Sequence, residues 1–445
     1  MTENMIYNSL TEILMQEDTS RIEKFKKAWR VYFGDHDKPL KVKQGKPDDN
    51  VRLNYARVIV DKGVTFLFGK EVNFDVSGDQ EQTAPDTWLK GFWKQNRKMS
   101  LLQKLALNGG VCGQAFLKIK VQAGLPYPRL IVLDPETVSV RTAADDIDQV
   151  VRYLIQYPSK DARTGKPIGV RQIIEQDGAH WLITDQVGDL QTLHWVTVGE
   201  ETWPWVWPPI MSCQNLPAPN EYWGVSDLEG DIIEAGNAVN FVVSNLLRII
   251  RFHAHPKTWG SGFSDKELRM AVDETIILPN AEAKLQNLEM TSDLESSIEF
   301  YKRLKEALHE LSRIPEVATG KVENAGALSG VALEILYQPL IEKTETKRLQ
   351  YGELISEVNR CGLAMGGFGE TQDTELQWPE ILPKDPLVER QAALIDKQLG
   401  VSNDTLQTKL GYDPDLERKK KATQVEELGE QLLGAFDRGD ETANA

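Results

Sequence analysis

Two segments of the chain open on the same four residues, Ser-Asp-Leu-Glu, at 226–229 and again at 292–295. Each runs on into a long stretch with apolar residues at helical spacing. In the first, Leu228, Ile232, Ala235, Val239, Val242, Leu246 and Ile249 follow in steps of four and three, the pattern of a helix with one apolar stripe. Acids crowd its start (Asp227, Glu229, Asp231, Glu234) and arginines its end (Arg248, Arg251), which suits the helix dipole. In the second, Leu294, Ile298, Tyr301, Leu304, Leu308 and Leu311 make the stripe, and Ile314-Pro315 ends it. Serine followed three residues later by glutamate is a capping box, so both helices are expected to start at their Ser-Asp-Leu-Glu. The repeat reads as two rigid struts returning to one body, or as a good helix start that arose twice; both readings stand.

The struts exclude a barrel of repeating strands and helices, and the rest of the chain fits an α+β fold. Apolar spacing predicts a helix over Ile22–Phe33 that Gly34 stops, a second over 54–69, and a third from Pro85 to the double glycine 109–110. From 114 to 210 the period falls to two, in short runs separated by Gly, Pro and Asp, which predicts an antiparallel meander or sandwich. The 254–291 insertion between the struts is too long for a plain connection and reads as a small subdomain. After it come the small, polar stretch EVATGKVENAGALSG, a long helix from Val331 with Pro339 inside it as a kink, a strand at LQWPEILP returning to the β part, and a helical end.

A net charge of −16 over 445 residues argues against a surface that grips nucleic acid or anionic lipid throughout. Cys112, Cys213 and Cys361 are far apart and form no metal or disulfide pattern. No stretch reaches about 18 uncharged apolar residues, and the N-terminal residues do not read as a signal peptide, so a cytoplasmic setting is expected, or something assembled there. Trp203, Trp205 and Trp207 alternate; on a strand they share a face, either as a carbohydrate platform or, more simply, as a packed or subunit-facing edge. His253 and His255 lack acidic or cysteine neighbours, so no metal is expected. No phosphate-binding glycine loop or catalytic fingerprint occurs.

The order of parts resembles the portal, or head-to-tail connector, proteins of tailed double-stranded DNA bacteriophages, in the siphophage-type branch. The resemblance rests on NYARVIVDKGVTFLFGKEVNF, on NLPAPNEYWGVSDLEGDIIEAGNAVNFVVSNLLRIIRFHAHP, on SGVALEILYQPL and on GVSNDTLQTKLGYDPDLE, in that order. It implies a wing (1–225), a stem helix (226–253), a clip (254–291), a second stem helix (292–315), a tunnel loop (316–330), a long kinked helix returning to the wing (331–385) and a helical crown (386–445). Ile232, Val239, Val242, Leu246, Ile298 and Leu304 would pack the stem. Trp259, Phe263 and Lys266 would meet clip partners, and Lys321, Glu323 and Asn324 would face DNA.

The implied protein is no enzyme and takes no cofactor. It would form a homo-oligomeric ring, twelve subunits in the head, at the capsid vertex of a virion assembled in the host cytoplasm. Double-stranded DNA would pass through it, and its partners would be the large terminase ATPase, major capsid and scaffolding proteins and a head–tail adaptor, with no membrane. Two alternatives remain: another phage head or tail component, or a hydrolase using the tryptophans on a carbohydrate.

Overall fold

The computed structural model describes residues 18–45, 47–76, 83–161, 163–188, 194–254, 257–262, 282–288, 294–319, 330–382, 386–412, 414 and 416–423. The chain divides into two compact units, Met1–Ala325 with Leu336–Pro379, and Gly326–Ile335 with Glu380–Ala445.

In the first unit, α1 (18–32) buries Phe25, Ala28, Val31 and Tyr32, the spacing that its sequence shows, and Gly34 ends it at φ +83°. Phe33 stacks on Trp29 but is mostly exposed. Asn54 caps α2 (Tyr55–Phe68), accepting from the Arg57 amide at 3.1 Å. A short β1 (Asn73–Asp75) leads to α3 (Ala84–Gln95), which Thr83 and Asp86 start with a reciprocal capping box. The helix expected from 85 to 110 is two helices. Arg97 takes the left-handed conformation at φ 53°, and α4 (Lys98–Cys112) runs straight through the double glycine to stop at Gly113, φ 83°. The glycines are there for closeness. A Cβ at Gly109 would collide with the Tyr351 hydroxyl, and one at Gly110 would meet Asp227 Oδ2 and Val60 Cγ1, each at 3.0 Å.

The β part follows as β2 (Gln114–Lys120), β3 (Arg129–Leu133), β4 (Val138–Thr142), β5 (Val150–Lys160), β6 (Pro167–Asp177), β7 (His180–Gly188), β8 (Trp195–Trp203) and β9 (Ile210–Gln214). Strands β4 to β8 form the expected antiparallel meander, and β3-β2-β9 form a second sheet. Phe116, Ile119, Tyr153, Ile174, Trp181, Trp203 and Met211 share the core with α3, α4 and the later helix. Of the alternating tryptophans only Trp203 is on a strand. Trp205 and Trp207 lie in the bend that follows, with ring centroids 4.7 to 5.7 Å apart across the trio. Trp203 and Trp207 are buried, so the trio is packing and not a one-faced platform.

The remaining elements are α5 (Gly230–Ala254), β10 (Lys257–Ser261), β11 (Lys284–Leu288), α6 (Leu294–Ser312), α7 (Gly330–Met365, with Pro339 inside), β12 (Glu375–Gln377), α8 (Pro386–Gln398) and α9 (Asn403–Lys409). Strand β12 returns to β1, pairing Asn73 with Gln377, and joins neither larger sheet as expected. In the second unit α8 and α9 pack together, and Ser402 caps α9.

The first Ser-Asp-Leu-Glu is not a capping box: α5 begins only at Gly230. Ser226 Oγ instead donates to the Val111 carbonyl at 2.7 Å, and the Asp227 amide donates to Gly110 at 2.8 Å. The Asp227 carboxylate is completely buried between two lysines of α7, Lys343 at 3.0 Å and Lys347 at 2.6 Å. Lys343 also donates to the Ser312 carbonyl at the end of α6, at 3.0 Å. Burial acts to raise the Asp227 carboxyl, but the two ammonium charges outweigh it and hold it at about 2. Burial draws Lys347 down to about 8 against the pull of Asp227. The second Ser-Asp-Leu-Glu starts at Ser292, outside the described residues, and α6 is under way by Leu294.

Replacing Asp227 with Asn leaves two buried ammonium groups facing an amide. The expected loss in urea unfolding is about 3–5 kcal/mol. Because the folded Asp227 carboxyl lies below its ordinary value of 3.8, its contribution is full above that pH and is lost as pH falls toward about 2. The Asp227→Asn protein should show a shallower stability loss than wild type across that window.

Candidate functional site

Helix α5 is held to the body by an extended strap. Asn240 Oδ1 and Ser244 Oγ, one turn apart on its buried side, accept the backbone amides of Leu53 and Val51 at 2.8 and 2.9 Å. A turn or two further on, Arg251 donates to the buried carboxylate of Asp49 at 2.6 Å, and Arg248 stands 3.6 Å from the same group. The strap's polar backbone is thereby satisfied by the helix it crosses. Helix α6 packs on α5 and anchors its C-terminal half in the body. Leu308 is buried there, and Tyr301 shares a hydrogen bond with Tyr55 at 3.3 Å. Arg313 turns the chain at φ 56°, and Ile314 is buried before Pro315, so the expected end of the second strut is where the sequence places it. Lys305 then pairs with Glu316 in the short turn Glu316–Thr319.

Ile232 and Val239 are buried, and Val242, Leu246 and Leu304 are half-buried. Ile298 is 45% exposed and belongs to neither hydrophobic core of the described residues. It has company. Phe241 (49%), Ile250 (53%), Phe300 (54%) and Leu311 (50%) are also open on the same two helices. Between the helices, β10 and β11 form an antiparallel ladder from Lys257–Leu288 to Ser261–Lys284, with Trp259 opposite Gln286 and 46% exposed. Phe263, Lys266, Lys321, Glu323, Asn324 and His255 lie outside the described residues, as does the side chain of His253.

The arrangement holds helices and a hairpin at fixed angles. Among the described residues no cluster of three or more His, Cys, Asp or Glu is placed to hold a metal ion. Cys112, Cys213 and Cys361 are buried thiols, each pushed up by desolvation, Cys361 to about 12, which makes them poor nucleophiles. No described helix is long and apolar enough to cross a membrane. Sequence reasoning missed the Asp227 cluster and the Asp49 strap. The one legible signal was the spacing of Lys343 and Lys347, four apart and therefore on one face of α7.

These features define paired helices rooted in a mixed helical and β body. The family described as phage portal protein, SPP1 Gp6-like, matches residues 12–410, and the chain belongs to it. It is thus a structural portal component of a virion, acting at the capsid vertex, rather than another head or tail component. None of the curated proteins compared with the chain matches it. Among solved structures, a chain in the neck of an empty GTA particle computed with C6 symmetry is 13% identical, with TM-score 0.49 over 80% of this chain and 88% of that one. A chain from the virion of a native gene transfer agent particle is 15% identical, with TM-score 0.48 over 84% and 96%.

Substituting Asp49 with Ala removes the carboxylate that Arg248 and Arg251 share. Both arginines are over a third exposed, so the global loss should be small. Hydrogen exchange at the Val51 and Leu53 amides should instead speed up about ten-fold, equivalent to ~1.4 kcal/mol of local opening.

Proposed function

We propose that copies of this chain close into a ring, twelve in the assembled head, whose bore passes double-stranded DNA during packaging and ejection. In this reading α5 and α6 are the stem, the β10–β11 insertion is the clip that meets the large terminase and later the head–tail adaptor, 316–330 is the loop nearest DNA, and 386–445 is the crown. The major capsid and scaffolding proteins would surround the ring, which would be assembled in the host cytoplasm. The observation that carries the ring is the apolar surface of the stem. Phe241, Ile250, Ile298, Phe300 and Leu311 are all about half exposed on one chain, on helices that already pack against each other. A neighbour must cover them, and a surface met by a different surface of the next copy closes into a ring when the rotation is right.

Phe241→Asp with Ile250→Asp should leave the monomer's melting temperature nearly unchanged, because both sites are open in the single chain. It should abolish rings in native mass spectrometry and sedimentation, because assembly would bury two unpaired carboxylates at several kcal/mol. Rings that form as in wild type would overturn the stem interface.

DNA handling is separable from assembly. Removing 320–329 takes away a small, polar stretch with no aromatic side chain and should leave the ring intact. In vitro packaging with the motor, scored as nuclease-protected DNA per head, should fall sharply, and Lys321→Glu should act in the same direction more mildly. Wild-type yield from the shortened ring would remove the loop from DNA handling.

A further inference from the structure

Away from the stem, the first unit holds an open cleft of about 930 Å³, walled by β5 to β7, β9, the segment before α5 and one face of α7. Its floor is aromatic. Tyr153 and Trp181 are almost wholly buried, with ring centroids 6.1 Å apart, and Tyr222 forms a side, its hydroxyl bonded to Ser212 at 2.7 Å. The rim is built in advance. Gln214 accepts the Ala218 amide at 2.9 Å and donates to the carbonyls of Glu221 and Tyr222 at 2.8 and 3.2 Å.

Four carboxylates line this cleft, Asp148, Glu221, Glu353 and Glu357, and no lysine, arginine or histidine does. Among the described residues the first three make no ion pair, and Glu357 reaches only Arg360, at 3.9 Å. Gln350, Glu353 and Glu357 follow at steps of three and four along α7, so they share its face toward the cleft. The side-chain amides of Gln149 and Gln350 make no hydrogen bond within the described chain, although both line the space. Burial also raises the Glu357 carboxyl above its ordinary value, against the weaker pull of Arg360.

We propose that this cleft is a docking site for an extended, arginine- or lysine-bearing peptide segment of a partner chain. The carboxylates supply the counter-charge for its cations, and the glutamine amides pair with its backbone. The volume lies at the upper end of ligand pockets, roughly 300–1,000 Å³, which suits several residues of peptide better than one small cation. Every lining residue comes from a single chain.

Fluorescence anisotropy of the full-length protein with a labelled, acetylated peptide of alternating arginine and alanine tests this. Saturable binding is expected, with no binding of the matching glutamate–alanine peptide. Affinity should fall about ten-fold in Glu353→Gln with Glu357→Gln, and also fall in Asp148→Asn, which lies on a different wall. Both variants keep side-chain size, and unchanged circular dichroism would show that they fold. No binding, equal affinity in the folded variants, or displacement by spermidine as effective as displacement by unlabelled peptide would each overturn the assignment.

Discussion

Asp227 is fully buried at the point where the body passes into the first stem helix, and two ammonium groups hold it there. The cluster carries one negative and two positive charges out of water, so it adds little net stability over an apolar core of equal volume. Its consequence is geometric. Lys343 and Lys347 fix one face of α7, the Asp227 amide fixes α4 through Gly110, and Lys343 reaches the last turn of α6 through Ser312. Three helices, α4, α6 and α7, are thereby tied to one aspartate just ahead of α5. The glycines make this possible, since a Cβ at Gly63 would stand 3.1 Å from Asp227 and 3.3 Å from Lys347 Nζ. A shift of α7 by one turn would carry one lysine past the carboxylate, so the charges specify a register that apolar packing alone would leave looser.

A fixed root matters because the outer parts of α5 and α6 are not self-sufficient. In the proposed ring their half-exposed phenylalanines and isoleucines would gain cover from a neighbouring copy, and the angle at which that cover arrives would be set at the root. A heterologous contact closes into a ring only if each copy repeats the same rotation. The strap from Asp49 to Leu53 serves the same end with hydrogen bonds and an ion pair further out along α5. It places the polar residues of that helix, Asn240 and Ser244, against backbone that needs partners, while Phe241 and Ile250 stay half exposed.

Much of this was legible. The three-and-four spacing of Ile22, Phe25, Trp29 and Tyr32 and of the two strut stripes marks real helices, and Gly34 and Pro315 mark real ends. What was not legible depends on partners distant in sequence. The same four residues, Ser-Asp-Leu-Glu, suggest a cap on local grounds, yet at 226–229 the serine and aspartate are taken by Val111, Gly110, Lys343 and Lys347, and the helix starts later. The double glycine 109–110 looks like a stop for the same local reason, and is instead the floor under Tyr351 and Asp227. The alternating tryptophans suggest a strand, but Pro204 follows the first of them and turns the chain so that the rings pack on one another. Ile298 fits the apolar stripe of α6 in spacing, and only the depth of the seam, which no sequence pattern carries, leaves it outside.

Net charge bears on DNA passage less directly than its size suggests. At physiological salt an exposed charge is screened beyond about 8 Å, so most of the −16 is invisible to a duplex on the bore axis. In the proposed ring the duplex would meet only the few groups that line the bore, and weak binding there would depend on how few amines can displace counterions. Several of the cations nearest the stem are already committed: Arg248 and Arg251 to Asp49, Lys305 to Glu316, Lys343 and Lys347 to Asp227. Pairing them inside the subunit serves the fold; in the proposed ring it would also keep them from holding DNA, so the interactions that root α5 and α6 would limit how strongly the bore could grip a duplex.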